Sequence, residues 1–269
     1  MKLNFSVGFH MFHKDERLNF QLNRFYISGV LSYDELAEIG SQITSLDSWI
    51  KLFLKLAQEA EEKGNMEKSA ICYRAAQFYT LGNQKDTEGK LIKEALYEKC
   101  FEAYAKAYSK EDWLKYDRIP FKSGYLPVYI MRQSGESKGV IMMHGVYDSF
   151  MHEFVRYAVY IYNAGYNVYL FEGPGQVEVL CRCNIKMTPQ WEHCVSAVLD
   201  HYGLDEVTLI GISLGGYLAT RVSDYEQRVK KLIMLDLIYD FYGSLRARMG
   251  KVEGAFLEYL TECPRNFMW

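Results

Sequence analysis

Glu206-Val207-Thr208-Leu209-Ile210-Gly211-Ile212-Ser213-Leu214-Gly215-Gly216 decides the fold, and it runs on into Tyr217-Leu218-Ala219-Thr220-Arg221-Val222. Residues 207–210 are β-branched or apolar, as a short strand is, and residues 215–222 read as a helix. Between them stands a serine with glycines two places before and two places after. A backbone folded tightly enough to pass straight from strand to helix needs small residues at those positions. The turn lifts the Ser213 hydroxyl above the carboxyl edge of a sheet, and the next helix N-terminus points partial positive charge at it. Ser213 is therefore the candidate nucleophile; a glycine-rich packing turn is the plainer alternative.

Two more motifs lie upstream. Val140-Ile141-Met142-Met143-His144-Gly145-Val146-Tyr147-Asp148-Ser149 reads as a buried strand running into a His-Gly turn. Gly145 lets the chain turn so that a backbone N–H faces the nucleophile. The N–H groups of Val146 (Tyr147 as the lesser choice) and Leu214 are the candidate oxyanion hole. His144 is expected to brace this loop rather than to act as base. Phe171-Glu172-Gly173-Pro174-Gly175-Gln176 follows another strand. From residue 112 onward strands and helices alternate. Strands are expected at Tyr116–Lys122, Tyr125–Arg132, Gly139–Met143, Tyr166–Phe171, Val207–Gly211 and Lys231–Leu235. Helices are expected at Glu153–Asn163, Thr188–Tyr202 and Leu214–Asp224, with a last one over Phe241–Leu260. This is the pattern of parallel βαβ units, whose right-handed crossovers place helices on both faces.

Before residue 112 the text is helical. Tyr33–Ile43 has helical spacing, Asp47-Ser48 is placed to cap a helix over 49–57, and Gly64-Asn65 closes it. Met66–Leu81 resumes with Ala70, Tyr73, Ala76 and Tyr79 on one face, and Lys90–Tyr108 makes one more amphipathic helix. The pair resembles a tetratricopeptide-like hairpin, but no 34-residue recurrence follows it. Two regions are expected, 1–111 helical and 112–269 built on the sheet.

In this order and behind a helical block, HGVYDS, FEGPGQ and GISLGG resemble the α/β-hydrolase superfamily. They are most similar to its two-domain bacterial branch of dihydroxypseudooxynicotine hydrolase-like and acylaminoacyl-peptidase-like esterases, over residues 30–245. The resemblance implies an α/β fold with a mostly parallel sheet and an N-terminal all-α cap over the active site. It implies an acyl-enzyme on Ser213 during hydrolysis of an ester, amide or activated carbon–carbon bond. One departure is Val177, where the branch continues with glycine. The family order is serine, acid, histidine. Asp236 or Asp240 stands where some relatives carry the acid, with a helix cap or surface carboxylate as the plainer reading. The histidines are His10, His13, His144, His152, His193 and His201, none of them after Ser213. The resemblance thus implies a hydrolase sheet lacking its last two strands, as if truncated before its last third. It also implies an exposed edge at Lys231–Leu235 through which two copies would associate.

Composition narrows the partners. With 31 Lys+Arg against 34 Asp+Glu the chain has none of the basic excess of a dedicated nucleic-acid binder. No stretch approaches the ~20 apolar residues of a membrane span, and the N-terminus is not a signal peptide. The 6 cysteines follow neither a disulfide framework nor zinc spacing. Reduced thiols, a cytoplasmic location, no metal and no cofactor are expected, with a small acyl, ester or amide molecule as substrate. Two other readings compete with catalysis by this chain alone. The unfinished sheet serves as a binding module, or a partner chain supplies the histidine.

Overall fold

The computed structural model describes residues 3, 5–145, 149–240 and 243. The chain divides between Glu111 and Asp112 into two compact units. The first holds α1 (Glu16–Ile27), α2 (Tyr33–Gln42), α3 (Leu46–Glu62), α4 (Met66–Tyr79) and α5 (Ile92–Tyr108). α4 packs against α3 on one side and α5 on the other, made possible by Ala70, Ala75 and Ala76, all fully buried. Trp49 and Phe53 fill the space beside them, and the Trp49 indole donates to the Ala75 carbonyl at 2.8 Å.

Two details depart from the sequence reading. α3 begins at Leu46, not at 49, because Ser45 caps it: its hydroxyl accepts from the Ser48 amide, and Ser48 returns the bond. Asp47 therefore lies inside the first turn, where its charge suits the helix dipole. α1, absent from the sequence reading, buries Leu18, Leu22 and Phe25 at helical spacing, and its buried side also carries Asn19 and Asn23. Both are satisfied by backbone: Asn19 accepts from the Phe12 amide at 2.7 Å and Asn23 donates to the His10 carbonyl at 2.9 Å.

The second unit contains β1 (Leu114–Phe121), β2 (Gly124–Met131), β3 (Val140–His144), α6 (Val155–Asn163), β4 (Asn167–Phe171), α7 (Val177–Cys183), α8 (Glu192–Tyr202), β5 (Val207–Ile212), α9 (Leu214–Tyr225) and β6 (Val229–Leu235). A 3-10 turn, Met151–Phe154, precedes α6. The six strands form one mixed sheet in the order β1-β2-β4-β3-β5-β6. β1 and β2 are an antiparallel hairpin, β2 runs antiparallel to β4, and β4, β3, β5 and β6 are mutually parallel. Met142, Tyr169, Phe171 and Leu209 face a core made with Val179 of α7, Trp191 and Val195 at α8, and Leu214, Leu218 and Val222 of α9. Side chains alternate across a strand, so Ile141, Met143, Leu170 and Ile210 belong to the other face. Among the described residues no helix is long and apolar enough to cross a membrane. The helix expected over Phe241–Leu260 lies outside the described residues.

Candidate functional site

Ser213 joins β5 to α9 with φ 57° and ψ −118°, a conformation that an L-residue with a Cβ rarely adopts. The surroundings hold it there. Its N–H donates to the Leu235 carbonyl of β6 at 2.8 Å, and its carbonyl accepts from the Gly216 amide at 2.9 Å. The flanking glycines are sterically required. A Cβ on Gly211 would lie 2.3 Å from the Gly215 carbonyl oxygen, and one on Gly215 would lie 2.5 Å from the Gly145 carbonyl oxygen and 2.9 Å from His144 Nδ1. The β3 turn is therefore pressed against the first turn of α9, two residues past Ser213. Leu214 opens α9, so its amide is one that a helix leaves without an intrahelical partner.

His144 is fully buried, its ring 5.4 Å from those of both Phe171 and Trp191. Burial holds its pKa down, at about 3. It is neutral throughout the physiological range and packs as a brace against Gly215. Val146, the other oxyanion candidate, lies outside the described residues. Asp236 and Asp240 are both exposed. Asp236 turns the chain at the end of β6 with φ 52°, and Asp240 accepts from the Gly243 amide at 2.8 Å.

The sequence motif 171–176 was singled out without roles for its polar residues, and the structure supplies them. Glu172, 2% exposed, accepts from the amides of Met151 at 2.8 Å and Glu178 at 2.7 Å. Burial is the main cause raising its carboxyl to about 8, with the charge of Glu178 adding to it. Gln176 accepts from the Gly173 amide at 2.7 Å and donates to the Gly145 carbonyl at 3.2 Å. Val177 begins α7, directly after Gln176, and is buried. Glu178 gathers the Tyr116 hydroxyl (2.6 Å), the Tyr125 hydroxyl (2.9 Å) and Arg118 (3.0 Å), tying α7 to the β1–β2 hairpin. The signal for these roles was there in the side-chain amide and carboxylate beside glycines at a strand end. Their partners, 21 and 31 residues away along the chain, were not legible.

A family model described as the alpha/beta hydrolase fold matches residues 187–250. Hydrolase LUC6 of Fusarium sp is 30% identical over an alignment of 227 positions that covers 73% of this chain and 52% of that protein. Among solved structures, AbyA5 superposes with a TM-score of 0.64 at 15% identity, over 81% of this chain and 62% of that one. The 2,6-dihydroxy-pseudo-oxynicotine hydrolase superposes with a TM-score of 0.56 at 22% identity, over 78% and 62%. The chain spans between half and two-thirds of the length of curated relatives such as this Fusarium hydrolase, the Acremonium alpha/beta hydrolase and the Penicillium oxalicum hydrolyase. With a serine on the turn between β5 and α9 of such a sheet, the chain belongs to the α/β-hydrolase superfamily.

Proposed function

We propose that Ser213 is the nucleophile of a hydrolytic reaction on an ester, amide or activated carbon–carbon bond. The Leu214 and Val146 amides would stabilise the oxyanion, and water would then release the acyl-enzyme. The observation that carries this reading is the backbone of Ser213 itself, φ 57° and ψ −118° at the start of α9. Strain of order 1–3 kcal/mol persists where the surrounding structure enforces it, and such residues cluster at working sites. The relatives, hydrolases among them, point the same way. The 5 free thiols of the described residues suit the reducing cytoplasm proposed for the chain.

No histidine follows Ser213, and a buried imidazole with a pKa near 3 is a poor base. The chain alone is therefore proposed to be a slow hydrolase, its remaining rate coming from the oxyanion donors. The alternative, a binding module without catalysis, predicts no reactive serine at all. A fluorophosphonate probe separates the two. Slow labelling of the wild-type chain that disappears in Ser213→Ala supports the nucleophile; labelling that survives the substitution, or none in either even with imidazole added as an external base, overturns it. Ser213-dependent turnover of a p-nitrophenyl ester is expected well below about 1 per second, the low end for ordinary enzymes.

A further inference from the structure

The amino ends of the parallel strands carry a groove of about 550 Å³, a volume in the range of ligand pockets. It lies away from Ser213. Thr208 lines it near the start of β5, and Ser213 follows the other end of that strand, about 16 Å on at the rise of a strand. The floor is set by strand register. Ile141 of β3 stands beside Thr208 of β5, and Thr208 beside Lys231 of β6. Neighbours in a parallel ladder share a face, and Ile233, two places beyond Lys231, lies on it too. α9 packs on β5 and β6 from the opposite face, where its Leu218 and Val222 join the core with Leu209. Tyr166, directly before β4, also lines the groove.

Three lysines share this lining: Lys138, Lys230 and Lys231. Successive residues on a strand normally point to opposite faces. Here the β5–β6 register slips: Val207 and Thr208 pair with Val229 and Lys231, leaving Lys230 as the extra residue. A bulge re-aims a side chain, and this one lets two successive lysines line one groove. Lys138 donates to the Ala164 carbonyl at 2.7 Å and keeps two more N–H groups. Among the described residues Lys230 and Lys231 have no ion-pair partner, and the lining has one carboxylate, Glu206. Cations gathered along one cleft raise the local concentration of anions.

We propose that this groove binds an organic anion with an apolar body, of the class of a medium-chain carboxylate. Its chain lies on Ile141 and Ile233, and its headgroup is held among the three lysines. A small inorganic anion leaves the apolar floor wet, and a neutral hydrocarbon leaves the lysines unanswered. The site takes part in no step at Ser213 and stands or falls independently of that residue.

Calorimetric titration of the intact chain with decanoate tests this. Saturable binding at one site is expected, equal in wild type and Ser213→Ala. Acetate, which has the headgroup without the chain, and decyltrimethylammonium, which has the chain with the opposite charge, are each expected to bind at least tenfold more weakly. The double variant Lys230→Gln/Lys231→Gln is expected to weaken decanoate about tenfold, two exposed contacts at roughly threefold each. Lys63→Gln/Lys110→Gln makes the same change in net charge at exposed positions of the first unit and is expected to leave binding unchanged. Thr208→Phe fills the floor and is expected to weaken decanoate by at least as much as the lysine pair. Wild-type affinity in Lys230→Gln/Lys231→Gln or in Thr208→Phe, or an equal loss in the control pair, overturns the inference, as does acetate binding as tightly as decanoate. Binding that emerges only on dilution gives the groove to a second copy, and no binding at any concentration leaves it to residues 241–269 or to nothing. Either result overturns the proposal and leaves the reading of Ser213 untouched.

Discussion

The two flanks of Ser213 are built differently. On the β3–β4 side His144, Glu172 and Gln176 are each 2% exposed or less. Among the described residues there, Glu172 holds the Met151 amide, Gln176 holds the Gly173 amide and the Gly145 carbonyl, and that carbonyl is pressed against Gly215. On the β6 side the chain is open. Ile233 and Leu235 are 41% and 47% exposed, and Asp236 and Asp240 stand in solvent. The closed flank is where we propose an oxyanion is held, since its described polar side chains are buried and bonded before reaction. The open flank holds the acid candidates, both exposed, with Asp240 bonded to the Gly243 amide three residues on. On the function proposed above, the closed flank would serve oxyanion binding and the open flank proton transfer.

The sharpest test of the closed flank is its steric tightness. Gly215→Ala and Gly211→Ala each place a Cβ inside 2.6 Å of backbone, and each is expected to cost about 2–4 kcal/mol, in the range of overpacked cores. Gly216→Ala is the control. Its nearest neighbour is 3.3 Å away and belongs to the flexible Leu237 side chain, so the change is expected to be neutral, or stabilising by up to about 1 kcal/mol through helix propensity. Urea melts of the three variants measure this. Equal midpoints for Gly215→Ala and Gly216→Ala would mean that the turn is not pinned.

Next in size is the strain at Ser213. Its φ of 57° and ψ of −118° suit glycine, so Ser213→Gly is expected to be more stable than Ser213→Ala by about 1–3 kcal/mol. Both lose the nucleophile, which keeps function out of the comparison. Thermal melts decide it, and the reverse order would mean that the turn is relaxed.

The closed flank was legible because its backbone demands are local. Gly211, Ser213 and Gly215 announce a tight strand-to-helix turn within five residues, and apolar runs such as Val140–Met143 announce a buried parallel strand. What was not legible depends on partners distant in sequence. Asn19 and Asn23 look like surface residues until the backbone of residues 10–12 covers them. The work of Gln176 depends on a carbonyl that only the β3–β4 pairing brings near. α7 was missed for the same reason: seven residues carry too little periodicity, and Glu178 anchors the helix only once β1 and β2 are in place.

Acid–base behaviour gives a third test. Glu172 has a folded pKa of about 8 against 4.5 for the free group. A raised carboxyl contributes full stability below the unfolded value and loses it as pH climbs to the folded one. His144 and His152 work in the opposite sense: both are pushed down to about 3 by burial, so their contribution is complete above the ordinary 6.5 and is lost in acid. Between pH 6.5 and 8 Glu172 therefore acts without them. Stability is expected to decline across that window by up to about 2 kcal/mol (1.5 pH units at 1.36 each). Glu172→Gln should flatten the slope, whatever its own constant cost. A wild-type profile that is flat or rising from pH 6.5 to 8 would show that the carboxyl is already ionised at 6.5.

The smallest stability effect belongs to the open flank, and it is best measured on a register pair. Ile210 of β5 and Ile233 of β6 sit directly beside each other in the parallel ladder, so both point to the same face with the same residue type. Ile210 is 5% exposed and Ile233 is 41% exposed. Threonine keeps the β-branch and exchanges one methyl for a hydroxyl, which matters only where water is excluded. Ile210→Thr is expected to cost about 1–3 kcal/mol, and Ile233→Thr no more than about 0.5 kcal/mol. The same pair examines self-association, which we propose occurs through β6. A strand pairs through unused N–H and C=O groups, and exposed apolar side chains beside them favour a second copy. Light scattering on wild type should then show mass above one chain that decreases on dilution, and decreases further in Ile233→Thr at unchanged stability. A strictly monomeric wild type would show that this edge does not recruit a second copy. An Ile233→Thr cost as large as that of Ile210→Thr would show that the face around Ile233 is covered in solution, erasing the contrast between the flanks.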